Sequence, residues 1–151
     1  MRRVVITGMG TVNPIGNSIA ELDAALREVR TAVFIDEQGV PPDMEWDALD
    51  ETSMHVLARD ANGRAIGTGR LLPDRKIGRM AVVQSARRQG VGAAIMRALL
   101  AMARERGDAE VELSAQTHAL GFYAKFGFVA FGEEYLDVGI PHRSMRLRLE
   151  K

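Results

Sequence analysis

The chain has 151 residues, 46% hydrophobic and 26% charged, which suits one soluble globular domain with a packed core and leaves no room for a second catalytic module. Lys plus Arg and Asp plus Glu number 20 each, so bulk attraction to nucleic acid or to an anionic membrane is excluded as the main affinity. Cysteine is absent, which excludes a disulfide framework, a zinc–thiolate site and a thiol nucleophile.

Met1-Arg2-Arg3 is followed by too few apolar residues for a secretory signal, and no stretch approaches the roughly 20 apolar residues of a membrane helix, so a cytoplasmic location is expected. Val4-Val5-Ile6-Thr7 reads as a strand and residues 11–17, with Pro14 and Gly16, as a loop. Ser18 and Glu21 form a capping-box pattern. Ile19, Leu22, Leu26, Val29 and Val33 then recur at helical spacing, predicting a helix that runs to Asp36 or Gln38. Gly39-Val40-Pro41-Pro42 ends it, and a long acidic loop follows in which Trp46 either caps a pocket or anchors the loop.

Strands are predicted at Met54–Ala58 and Ala65–Leu72, joined by the Asp60-Ala61-Asn62-Gly63 turn, and at Ile77–Val83. A helix is expected from Gly90 to Arg106, ended by Gly107. A strand at Val111–Ser114, a short helix at Ala119–Phe126 and strands at Phe128–Phe131 and Met145–Leu149 complete the chain. The order gives one α/β domain over residues 1–151, with a mixed, mostly antiparallel central sheet flanked by helices.

The zero net charge hides a segregation. Residues 36–60 hold eight acidic side chains against Arg59 alone, whereas residues 64–106 hold ten basic ones against Asp74 and Glu105. Either two solvated faces differ in sign, or one site has an anion-binding half and an acidic half that attracts a cation.

The segment from Arg79 to Gly92 carries the clearest chemistry. An apolar strand enters a turn with Arg87, Arg88 and Gly90, then a long helix. Glycines let the backbone approach a bulky anion, and the unsatisfied N–H groups of the first helical turn point at it with the helix dipole behind them. Arginines add charge-assisted contacts. A phosphate or pyrophosphate site is expected at residues 87–93. The G-x-x-x-x-G-K-[ST] loop is absent, and Gly8-Met9-Gly10 lacks the third glycine of a dinucleotide fingerprint because Asn13 stands there.

Arg87-x-x-Gly90-x-Gly92 after a strand resembles the acyl-CoA pyrophosphate loop of the GNAT acetyltransferase superfamily, and Phe122-Tyr123-x-x-x-Gly127-Phe128 resembles its second signature. The segment from Val33 to Pro41, Ala115-Gln116-x-His118 and Gly139-Ile140-Pro141-His142 resemble its ElaA-like branch, so that the likeness spans about residues 30–149. Residues 1–17, with Arg3-Val4-Val5-Ile6-Thr7-Gly8-Met9-Gly10, instead look like the start of a β-ketoacyl-ACP synthase. Those enzymes use a cysteine that this chain lacks, so these residues are expected to serve only as an atypical first strand and loop.

The resemblance implies a GNAT-like acyl-CoA N-acyltransferase fold and acetyl transfer from acetyl-CoA to a primary amine by direct attack in a ternary complex, without a metal. It places the cofactor along Met80, Ala81, Val82 and Val83, over Arg87, Arg88, Gln89, Gly90, Val91, Gly92 and Ala93, and beside Gln116 and Phe122. Backbone N–H groups of Val82 and Val83 would bind the pantetheine arm and polarise the thioester. The Tyr123 hydroxyl would protonate the departing thiolate; packing of its ring beside Phe122 and Phe126 is the other reading. An alkylamine with a pKa of about 10.4 needs about 4.6 kcal/mol to lose its proton at neutral pH, so a proton acceptor is useful. Glu37, Asp47, His55, Glu112, His118 and His142 are the candidates, with Glu37 and His142 favoured.

Three functions remain distinguishable at this level: an N-acetyltransferase for a small-molecule or peptide amine, a non-catalytic acyl-CoA-binding or sensing module, and nucleic-acid binding through residues 64–106, for which the few aromatics offer little stacking. No nucleic-acid or membrane partner is expected, and sheet edges near the C terminus allow a homodimer.

Overall fold

The computed structural model describes the backbone of residues 3–7, 11–14 and 19–149, and side chains from residue 23 onward. The strands are β1 (Arg3–Thr7), β2 (Thr11–Pro14), β3 (Met54–Arg59), β4 (Ala65–Leu71), β5 (Lys76–Val82), β6 (Glu110–Gln116), β7 (Val129–Asp137) and β8 (Ile140–Arg148). The helices are α1 (Ile19–Arg30), α2 (Pro42–Glu45), α3 (Leu49–Thr52), α4 (Val91–Arg106) and α5 (Leu120–Ala124). The strands form one sheet in the order β2-β1-β3-β4-β5-β6-β8-β7. Only β1–β3 and β5–β6 pair in parallel, so the mixed, mostly antiparallel sheet expected from the sequence is present.

Both faces of the sheet are covered at its central strands. Val56 and Ala58 of β3 pack with Ile95, Met96 and Leu99 of α4, while Leu57 between them packs with Leu26, Val29 and Val33 on the opposite face. Alternation of side chains along a strand buried on both sides explains the unbroken apolar run at Val56–Ala58. Helix α4 lies close to β4 because that strand lacks Cβ atoms where they meet. A Cβ at Gly67 would stand 2.8 Å from Ile95 Cδ1, and one at Gly69 would stand 2.9 Å from Ile95 Cγ2. Gly107 ends α4 at φ +89°, the left-handed cap that its position predicted.

Several elements differ from expectation. Residues 11–14 are a strand paired with β1 rather than loop. The capping box at Ser18 and Glu21 lies outside the residues described in that detail. The first long helix is α-helical only to Arg30 and continues as a wider π-helical segment over Thr31–Glu37, a widening that apolar spacing does not report. The acidic loop contains the short helices α2 and α3. The last strands are far longer than predicted. β7 and β8, nine residues each, form a hairpin joined at Val138 and Gly139, both at positive φ (49° and 73°). Much of β7 faces solvent, so it lacks the apolar alternation that would reveal it.

The acidic loop is fastened by buried ion pairs. Arg30, 3% exposed, donates through Nε to Glu45 at 2.7 Å, through Nη1 to Asp50 at 2.7 Å and through Nη2 to the Glu45 carbonyl at 2.7 Å. Arg70, 4% exposed, donates to Asp47 at 2.8 and 3.0 Å and to Asp50 at 2.8 Å. Arg70 beside Asp47 holds that carboxyl below its usual range. Burial pushes the Glu45 carboxyl upward, against the pull of Arg30. Trp46 is stacked by the guanidinium groups of Arg27 and Arg30, 4.8 and 4.7 Å from the ring centroid, so it anchors the loop.

Arg30→Ala leaves Glu45 and Asp50 without their shortest partner in a dry environment, and it is expected to cost about 3–5 kcal/mol. Lys76→Ala, which removes an exposed 3.9 Å pair with Asp74, should cost less than about 1 kcal/mol. Urea denaturation of both variants measures the contrast, and equal losses would contradict it.

Candidate active site

The sheet opens into a wedge at its centre. Parallel strands β5 and β6 pair only at Lys76↔Glu112 and Ile77↔Leu113, and the rest of β5 turns away. A bulge against β4 accompanies this departure, with Arg79 at φ +49°. Val83 N–H donates to the Ile66 carbonyl on the β4 side, and backbone alternation therefore directs Val82 N–H toward the wedge. Of the two N–H groups expected to bind the pantetheine arm, only that of Val82 faces the wedge; Val83 is committed to β4.

A cavity of about 740 Å³ fills the wedge, walled by β5 from Ile77 to Val82, by β6 at Leu113, Ser114 and Gln116, by the π-helical segment, and by Tyr123, Asp137, Ile140 and His142. Met80, Ala81, Val82, Arg87 and Gln116, all expected to touch the cofactor, lie on this wall.

The loop leaving β5 has the local geometry that its composition suggested. Arg88 and Gly90 take positive φ (65° and 81°), and α4 begins at Val91 with no side-chain cap. Ala94 N–H makes the first bond back, to the Gly90 carbonyl at 3.0 Å. The N–H groups of Val91, Gly92 and Ala93 therefore have no acceptor within the helix. A Cβ at Gly92 would stand 3.3 Å from Phe122 Cζ, which packs the start of α4 against α5. Arg88, Gln89 and Gly90 are exposed. Free N–H groups, a dipole end and flanking arginines fit a pyrophosphate.

The proton-acceptor candidates separate clearly. Glu37, His118 and His142 lie on the cavity wall. Asp47 is bound by Arg70, His55 Nε2 is 2.7 Å from the Asp50 carbonyl, and Glu112 faces Arg146 at 3.2 Å. None of these three belongs to the wall. The acidic loop is likewise no open cation trap, because Glu45, Asp47 and Asp50 are matched by Arg30, Arg70 and Arg79.

Glu37 and Arg87, expected on opposite halves of the site, meet. Arg87 forks onto Glu37 at 2.7 and 2.5 Å while its Nε donates to the Val82 carbonyl at 2.9 Å. That fork holds the Glu37 carboxyl below its usual range, making it a weaker base while paired.

His142, 8% exposed, donates Nδ1–H to the Ile140 carbonyl at 2.6 Å, which leaves Nε2 as an acceptor. Tyr123 lies on the wall with its ring edge-on to Phe122 and Phe128 (centroids 5.1 and 6.2 Å apart), so packing and function coexist in one side chain. Burial pushes its phenol above the usual value.

Across the mouth, Gln116 Nε2 donates to Gln38 Oε1 at 3.0 Å, and His118 Nε2 lies 2.7 Å from Gln116 Oε1. Sequence reasoning missed Gln38, Arg79 and Asp137 as wall residues; only the bulge, invisible in composition, brings Arg79 here. Among the described residues, no group of three or more His, Asp and Glu could hold a metal ion.

Residues 22–149 match the family model described as an acetyltransferase (GNAT) domain. The chain is 41% identical over 121 residues to an uncharacterized N-acetyltransferase, YjcF, of Bacillus subtilis (strain 168), covering 78% of this chain and 86% of the relative. Among solved structures it resembles an acyl-CoA N-acyltransferase from Pseudomonas aeruginosa, with TM-score 0.72, 38% identity and coverage of 87% and 92% of the two chains. It also resembles Escherichia coli ElaA, with TM-score 0.76, 33% identity and the same coverage. The likeness of residues 1–17 to a β-ketoacyl-ACP synthase is not supported, since the family match begins at residue 22 and β1 pairs within this sheet. The chain belongs to the GNAT acetyltransferase family and is an acyl-CoA-dependent N-acyltransferase.

Proposed function

We propose that the protein transfers an acetyl group from acetyl-CoA to a primary amine by direct attack, with both substrates bound in the wedge. The observation that carries this reading is that β5, whose residues wall the cavity together with Tyr123 and His142, leads through Arg87 on the same wall to the α4 N terminus. Val91, Gly92 and Ala93 N–H groups would hold the pyrophosphate, helped by Arg87 and Arg88. Phe122 and Gln116 would flank the cofactor, and exposed Gln89 would lie beside its phosphates.

Val82 N–H would polarise the thioester carbonyl, where a preformed donor stabilises the charge that develops on oxygen. His142 Nε2 would accept the ammonium proton, with the Glu37 carboxylate on the same wall as a second acceptor once Arg87 turns to phosphate. The neutral amine attacks the carbonyl carbon, a C–N bond forms and the C–S bond breaks. Nitrogen sheds its second proton to solvent as the amide forms, Tyr123 supplies one proton to sulfur and regains one from solvent, and the proton held by His142 is released, so the products are an amide, a free thiol and one proton. The high phenol pKa keeps Tyr123 protonated, as a donor must be.

A cytoplasmic enzyme with ready access to acyl-CoA fits this chemistry. The edge strand β7 exposes Val129 and Leu136, 68% and 71% accessible, which supports a homodimer formed along that edge.

Saturating acetyl-CoA should raise the melting temperature, and Gly92→Glu should abolish the rise; a carboxylate suits a helix N terminus but opposes a bound phosphate, and because its Cβ would stand 3.3 Å from Phe122 Cζ, the variant's own melting curve checks that it folds. An unmoved melting curve for the native chain would refute the reading. Tyr123→Phe should lower kcat by about 100-fold with little change in KM for acetyl-CoA, as measured by thiol release across an amine panel. A binding or sensing module would instead show the thermal shift and no thiol release. Because burial raises the phenol pKa, kcat should show no falling limb from Tyr123 below its ordinary value of about 10.

A further inference from the structure

We propose that Arg79 is the anion-recognising residue of the acceptor pocket, and that the acceptor is an amine that also carries a carboxylate. This deepens the acetyltransferase reading and rests on it for the transfer step.

Three arginines and three carboxylates meet beneath the cavity, but they are not equally matched. Arg30 and Arg70 hold Glu45, Asp47 and Asp50 at 2.7–3.0 Å. Arg79 reaches the same Glu45 and Asp47 only at 3.5 and 3.6 Å, and the carbonyls of Glu45 and Met44 at 3.4 and 3.5 Å. Such separations lie beyond good hydrogen-bond geometry. The short bonds of both carboxylates are already taken by Arg30 and Arg70, so Arg79 is the most loosely held cation of the cluster; the buried Arg70 Nε also lacks a partner, but Arg70 does not line the cavity.

Its placement sets it apart too. The side chains of Arg30 and Arg70 are 4% and 5% exposed, whereas that of Arg79 is 30% exposed and lies on the cavity wall. The other arginine on that wall, Arg87, is forked onto Glu37 and belongs to the phosphate side. Arg79 also sits at φ +49°, a backbone conformation that residues with a Cβ rarely adopt. The bulge imposing it lies where β5 leaves β6, and such outliers cluster at ligand sites.

A guanidinium fork with free donors matches a carboxylate in shape and charge. One cation suits a singly charged group better than a phosphate dianion. Val82 N–H, the donor proposed for the thioester, lies three residues along the strand, about 10 Å away. The cavity wall also carries Asp137 of the hairpin, whose charge favours an ammonium group, while Glu37 and Glu45 on the same wall are paired with Arg87 and Arg30. A short amine with an anionic end therefore meets complementary charge at both ends.

The test uses amines in matched pairs, such as β-alanine with β-alaninamide and glycine with glycinamide, offered to the native chain, Arg79→Gln and Arg79→Lys. Two readouts are taken: thiol release from acetyl-CoA, and calorimetric binding of each amine to CoA-saturated protein. The native chain should prefer the carboxylate member by about 10- to 100-fold, the worth of a hydrogen bond to a charged group. Arg79→Gln should bring that ratio near one, and Arg79→Lys should restore part of it; if Arg79→Gln fails to fold, the fall in ratio for Arg79→Lys decides. A native ratio near one in both readouts, or a ratio unchanged by Arg79→Gln, overturns the proposal. Arg79-dependent carboxylate binding without thiol release from any amine would sustain the anion site and refute the transfer reading instead.

Discussion

The parting of β5 from β6 is the constraint on which the rest of the molecule depends. Two parallel strands that remained paired would leave no cavity, and their inward backbone groups would satisfy one another. After Ile77 and Leu113 they separate, and backbone groups that a continuous sheet would consume become available to a ligand. The helix that follows β5 starts at the open end of the same gap. A strand edge and a helix N terminus are both incomplete hydrogen-bonding systems, and here one loop of eight residues joins them.

Charge segregated along the chain is interleaved in space. The acidic stretch reads as a free negative surface, but its buried members face Arg30 and Arg70 and serve to tie α2 and α3 to the helix and sheet beside them. Burial of ions is costly unless each is closely matched, and the short distances around Glu45 and Asp50 meet that condition. The electrostatic character of the cavity is therefore set by the few charges on its wall: Glu37 and Arg87, which pair with each other, Glu45, which Arg30 holds, and Arg79 and Asp137.

What could be read from the chain was local. The turn from Arg87 to Gly92 announces itself because backbone freedom, charge and helix start fall within six residues, and Tyr123 stands in a short motif with three other aromatics, Phe122, Phe126 and Phe128. The long helix α4 and the strands buried on both faces were legible from apolar runs and their glycine boundaries. Contacts between distant residues were not. Glu37 and Arg87 are 50 residues apart, and Gln38 and Gln116 are 78 apart, and neither pairing leaves a periodic trace. The hairpin of β7 and β8 was half hidden because a strand exposed on both sides obeys no apolar period. Arg79 was hidden for a different reason: a bulge changes where a side chain points without changing composition.

The two glycines of β4 that admit α4 so closely to the sheet have a reach beyond packing. Helix α4 is a stiff rod of 16 residues, about 24 Å long, and its tip carries the N–H groups of Val91, Gly92 and Ala93. Its height above the sheet is fixed near its middle, where Ile95 and Leu99 rest on Gly67 and Gly69. Interiors packed to this density transmit displacement instead of absorbing it. If the α4 tip holds the cofactor's pyrophosphate as proposed, its affinity is calibrated from behind the helix as well as at its tip, by two residues with no side chain.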